Sequence, residues 1–129
     1  MKIILPLPPN MANSRMHWRV KNKARQEYMA LCDVWSTRVE DGRVFFSGPS
    51  PPHHACGYVV QVAISAVIHH THTMDQDNSM ARLKWPVDWL VRNGYMVNDD
   101  PDHLVWTGLP TQVKCKKDNR RVEFLLEPA

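Results

Sequence analysis

The chain has 129 residues, 43% hydrophobic and 22% charged, with a formal net charge of +3. That size and apolar content suit one domain with a sizeable core and exclude a long disordered chain. A membrane-spanning helix is excluded too. The longest apolar run, residues 58–68, is interrupted by Gln61 and Ser65 and falls far short of the ~20 residues a bilayer requires.

Residues 2–7 read as a short strand, stopped by Pro6, Pro8 and Pro9 because proline removes a ladder donor. Residues 10–19 are irregular. A helix is predicted over 23–40, where Ala24, Tyr28, Leu31, Trp35 and Val39 lie on one face, and Asp41-Gly42 ends it. Ser47-Gly48-Pro49-Ser50-Pro51-Pro52 is a loop by composition, part of a surface excursion over about 47–56.

Residues 58–70, rich in β-branched side chains, predict a central strand buried on both faces. A second helix is predicted over 79–93, with Met80, Leu83, Val87, Leu90 and Val91 as its core stripe. Pro86 predicts a kink or restart there, and Gly94 a C-terminal cap. Two strands, 103–116 and 120–126, flank a hairpin turn at Lys117-Asp118-Asn119, with a break in the first at Gly108 and Pro110. The expected fold is α/β, a small mixed β-sheet packed with two main helices, in a single domain over 1–129.

The opening Met1-Lys2-Ile3-Ile4-Leu5-Pro6 lacks the apolar stretch and cleavage site of a signal peptide. Cys32, Cys56 and Cys115 form no CxxC pair, and their odd number argues against a disulfide framework. A cytoplasmic location with free, mostly structural thiols is the expectation.

Charge is unevenly placed. Arg15, Arg19, Lys21, Lys23 and Arg25 form one basic cluster, and Lys114, Lys116, Lys117, Arg120 and Arg121 another, around an aspartate-rich centre. In an extended chain Asp75 and Asp77 share one face, roughly 7 Å apart. Two carboxylates so placed can share a hard cation such as Mg²⁺. Asp99-Asp100 follows the second helix and can return to the same end of the molecule. Carboxylates around one or two cations are a standard arrangement for phosphodiester hydrolysis. The same residues also read as a helix cap, at Asp77 or Asn78, and a turn at Asp99-Asp100-Pro101. Lys84 shares a helical face with Asp88; it can stabilise charge on a phosphate or form a solvated pair.

Asp75-x-Asp77-Asn78, then Lys84-x-x-x-Asp88-x-Leu90, Gly94 and Asp99-Asp100, resembles the RusA family of Holliday-junction resolvases. Leu5-Pro6-Leu7-Pro8-Pro9-Asn10, His17-Trp18-Arg19 and the closing Arg121-Val122-Glu123-Phe124-Leu125 are also similar, so the resemblance runs nearly the length of the chain. It implies a homodimeric endonuclease dependent on Mg²⁺, or alternatively Mn²⁺, that cuts four-way DNA junctions by paired nicks in a bacterial or phage-infected cell, in recombination, repair or phage DNA processing. It assigns catalysis and metal binding to Asp75, Asp77 and Asp100, and the family's lysine to Lys84. The chain departs from the family in one place. The lysine usually stands where Ala81 is found, and counting back from Asp88 to reach Lys84 implies a short insertion.

Positive charge at the start of the first helix opposes its macrodipole, so the 15–25 cluster suggests phosphate contact. Lys114, Lys116 and Lys117 suit the same role, or protect an edge strand. In the run His69-His70-Thr71-His72, His70 and His72 share one strand face and give a competing metal reading, without an obvious third zinc ligand. Trp85 and Trp89 read as core or dimer-interface residues, with insertion into a DNA junction as the alternative for them and for Trp18. The alternatives to a resolvase are a flap or fork nuclease and a non-catalytic DNA- or metal-binding protein.

Overall fold

The computed structural model describes residues 1–9, 17–46 and 61–129. In chain order these form β1 (Lys2–Pro6), α1 (Trp18–Trp35), β2 (Thr37–Glu40), β3 (Arg43–Phe46), β4 (Val62–His70), α2 (Gln76–Ala81), α3 (Lys84–Arg92), β5 (Leu104–Trp106), β6 (Thr111–Lys114) and β7 (Arg121–Pro128), with a 3-10 turn at Lys117–Asn119. The predicted surface loop at 47–56, the start of the strand at 58–60, Arg15 and Cys56 lie outside the described residues.

The strands make one mixed sheet in the order β3-β2-β1-β7-β4-β5. β5 and β6 pair in succession, both parallel, along the edge of β4 opposite β7, and the other pairings are antiparallel. Register places apolar residues directly opposite one another on one face. Phe124 faces Ile3 on one side and Ala66 on the other, and Val122 faces Leu5 and Ile68. Tyr28, Met29 and Cys32 of α1, with Val87 and Leu90 of α3, complete the core with them. The mixed α/β domain is therefore as expected, but β4 is not buried on both faces. Val62, Ile64, Ala66 and Ile68 are buried, whereas Ala63, Ser65 and Val67 are only half-buried, because the helices cover one side of the sheet.

The first helix is displaced from its predicted span. His17 caps it, accepting the Arg19 N–H at 3.2 Å, and it stops at Trp35. Residues 37–46 instead form a hairpin, with Val39 opposite Val44. Asp41 and Gly42 have φ of 52° and 76°, the pair of left-handed residues that a tight hairpin turn requires. The buried stripe is Tyr28, Met29 and Cys32; Trp35, expected in the core, is 67% exposed, and Leu31 is also exposed.

The second predicted helix is two. α2 ends at Ala81, and α3 restarts at Lys84 with Pro86 in its first turn, where a missing N–H costs no intrahelical bond. Gly94, φ 80°, closes α3: its N–H reaches the Val91 carbonyl, and Tyr95 N–H reaches Leu90, the two bonds of a Schellman cap.

The predicted strand over 103–116 divides into β5 and β6 at Gly108 and Pro110. β6 and β7 do not form the expected hairpin, since β4 lies between them. The 3-10 turn carries the chain across the end of β4, which sets Arg120 near His70.

Candidate functional site

β4 ends at His70, and the chain turns before α2 begins. Gln112 of β6 holds that turn: its Oε1 accepts the Met74 N–H at 2.6 Å, and its Nε2 donates to the Met74 carbonyl at 2.7 Å. Asp75 and Asp77 therefore do not share a strand face. Asp75 is the N-cap of α2, accepting the Asn78 N–H at 2.8 Å and its side-chain amide at 3.3 Å. Asp77 is exposed in the first turn, where the helix dipole favours a carboxylate.

Lys84, the first residue of α3, reaches out of the helix break to two carboxylates. Its ammonium lies 3.1 Å from Asp88 and 3.0 Å from Asp99. Hydrogen bonds that it donates to Asp99 and then to Asp88 raise its pKa, so at neutral pH it is a cation and not a base. Asp88 also meets Arg25 of α1 at 3.3 Å, joining both helices to the Asp99 turn. Asp100 points elsewhere. It accepts His103 Nδ1 at 2.6 Å together with the backbone N–H groups of Asp102 and His103. The His103 bond, foremost among these, holds the Asp100 carboxyl below its ordinary range.

Carboxylate oxygens are suitable donors for Mg²⁺. Yet among the described residues no three of His, Cys, Asp and Glu are grouped so as to hold a metal ion. Asp75, Asp77 and Asp100 thus do not make a ready ligand set in this arrangement. Asp75 is occupied in capping and Asp100 with His103. The histidines give no such set either. His70 and His72 are ring neighbours at 6.0 Å, and His69 turns to Glu123 at 3.3 Å.

The fold brings part of each basic cluster together. One cleft of about 320 Å³ is lined by Pro8, Pro9, Lys21, Arg82, Lys84 and Trp85. A second, of about 400 Å³, is lined by Pro8, Pro9, Arg82, Lys117 and Arg120. They share Arg82, so Lys21 and Lys84 lie to one side of it and Lys117 and Arg120 to the other. The remaining basic candidates are separate from the clefts. Arg19 stacks on the exposed Trp18 ring at 5.4 Å, Lys23 is two residues round the helix from Lys21, Arg25 is paired with Asp88, and Lys114 and Lys116 are exposed. Of the tryptophans, Trp89 is buried with its indole N–H on Asp33 at 2.9 Å, and Trp85 packs beside Tyr28.

Arg82 is the residue that sequence reasoning missed. It lies in the break between α2 and α3, where helical periodicity gives no signal. Compared with protein-family models, curated proteins and solved structures, the chain matches none.

Proposed function

We propose that this protein is an endonuclease of branched DNA, acting on four-way junctions as a homodimer. The observation that carries the reading is the Arg82-centred pair of clefts. It draws Lys21 of the first basic cluster and Lys117 and Arg120 of the second into one band, and Lys84 joins that band to the aspartates at Asp88 and Asp99. A polyanion laid along the band meets Lys21, Arg82, Lys84, Lys117 and Arg120, contacts that supply affinity without sequence information. Lys84, kept protonated by its carboxylate neighbours, is placed to offset charge on a phosphate in the cleft. Trp85 offers an aromatic wall beside it. A homodimer is proposed because a two-fold junction requires two matched cuts, which symmetric subunits supply.

The requirement for Mg²⁺ or Mn²⁺, with Asp75, Asp77 and Asp100 as ligands, rests on the resemblance to RusA resolvases. A second reading, a non-catalytic binder of branched DNA, is favoured by the engagement of Asp75 and Asp100 in local hydrogen bonds. One experiment separates the two. The protein is incubated with a synthetic junction, a fork and a linear duplex, in Mg²⁺ and in EDTA, with binding followed by gel shift. Mg²⁺-dependent paired nicks on the junction are expected. Binding with no cleavage of any substrate would establish the binder, and preferential cutting of the fork a flap- or fork-type nuclease. Sedimentation equilibrium is expected to give twice the chain mass of 14.9 kDa.

A further inference from the structure

The Arg82 guanidinium is half-buried, and its position is fixed. Its Nε donates to the Pro8 carbonyl at 2.8 Å, and its Nη1 lies 3.2 Å from His70 Nε2 and 3.5 Å from Met74 sulfur. His70 Nδ1 receives the Thr71 N–H at 2.8 Å. A neutral imidazole has one donor and one acceptor nitrogen. Both ring nitrogens face a donor, Thr71 N–H at Nδ1 and Arg82 N–H at Nε2, so in either neutral tautomer one donor confronts another.

Among the described residues, Arg82, Lys117 and Arg120 form no ion pair with an acid, and Asp118, inside the 3-10 turn, pairs with none of them. Arg120 uses its Nε on the Lys117 carbonyl at 3.0 Å, which leaves its terminal nitrogens for the cleft. Three cations line the cleft without a counter-charge, with His70 against one of them, an arrangement that an anion with several acceptor oxygens completes.

We infer that the cleft between Pro6–Pro9 and the 3-10 turn is a phosphate site, with the Arg82 and Arg120 guanidinium groups as its donors, Lys117 at its rim and His70 held against Arg82. Naming the occupant as a phosphate of the DNA backbone, bound beside the Lys84 cleft, rests on the nuclease reading; the anion site does not. The groups facing His70 agree with it: burial first, then Arg82, Arg120 and His72, lower the His70 pKa below its ordinary value. A bound anion reverses the contribution of the cations.

The test titrates inorganic phosphate against chloride at matched ionic strength, following thermal unfolding and the His70 ring resonances by NMR. A saturable rise in Tm specific to phosphate is expected, with an upward shift of the His70 titration. Arg82→Gln should abolish the response. Because Arg82 also anchors Pro8, the exposed Arg120→Gln is measured beside it and should weaken phosphate binding about 10-fold, the loss of one charge-assisted contact. No phosphate-specific rise, or a response unchanged in Arg120→Gln, overturns the site. Phosphate binding by a protein that leaves junctions uncut would establish the site and refute only the nuclease.

Discussion

Asp75 has two roles that one substitution can separate. As the N-cap of α2 it satisfies the Asn78 N–H, and asparagine caps as well as aspartate does. Asp75→Asn is therefore expected to leave stability unchanged in urea unfolding, whereas Asp75→Ala should lose about 1 kcal/mol. Both should lose cleavage if the carboxylate also serves the reaction; normal cleavage by Asp75→Asn would confine it to capping. At His70 the depressed pKa has a definite sign. The unfolded chain takes up the proton first as pH falls, so stability is present above about pH 6.5 and is lost as pH drops through the folded-state value. Thermal melts between pH 7.5 and 5 should show this loss, and His70→Gln should reduce it. The acidic positions were legible in the sequence because carboxylates at close spacing are conspicuous. Their geometry was not, since the extended conformation assumed for residues 75–77 gives way to a cap once Gln112, distant in sequence, clamps Met74.

Elements were legible where local signals agreed. β1, the restart at Pro86, the Gly94 cap and the break at Gly108 and Pro110 each follow from proline or glycine chemistry acting over a few residues. The displacement of α1 had a different cause. Of the helically spaced Ala24, Tyr28, Leu31, Trp35 and Val39, only Tyr28 lies on the buried stripe, which runs through Tyr28, Met29 and Cys32. Asp41-Gly42 stops a helix and also turns a hairpin, and only the pairing of 37–40 with 43–46 distinguishes the two. The parallel placement of β5 and β6 against β4 is a long-range pairing that no local pattern encodes. Gly94→Ala tests the cap: a φ of 80° is unfavourable for alanine, and a loss of about 1–2 kcal/mol is expected on denaturant unfolding.

At the scale of the whole molecule, one apolar sheet face carries the core, and one rim carries the charge. Phe124, fully buried between Ile3 and Ala66, is central to that face; Phe124→Ala should cost about 3–5 kcal/mol, measured by urea unfolding. The sign of the rim was only partly visible in the sequence, where two basic clusters lie nearly a hundred residues apart. The crossing of the 3-10 turn over the end of β4 brings part of each to Arg82. If Lys21, Arg82, Lys84, Lys117 and Arg120 each displace a counterion from DNA, the logarithm of the junction-binding constant should fall with log salt at a slope of about −4 to −5. A slope near zero would show that the clefts do not bind the backbone.

The central claim is that a phosphodiester is cut beside the Arg82 band with help from the aspartates at α2. Mapping of nicks on a labelled four-way junction, with wild type and Asp77→Asn compared at equal DNA occupancy, tests it most directly. Asp77 is exposed and, among the described residues, makes no side-chain bond that asparagine would lose. The expected result is paired, symmetric, Mg²⁺-dependent nicks by wild type and undiminished binding without nicks by Asp77→Asn. Nicking by Asp77→Asn at the wild-type rate, or no nicking by wild type, would contradict it.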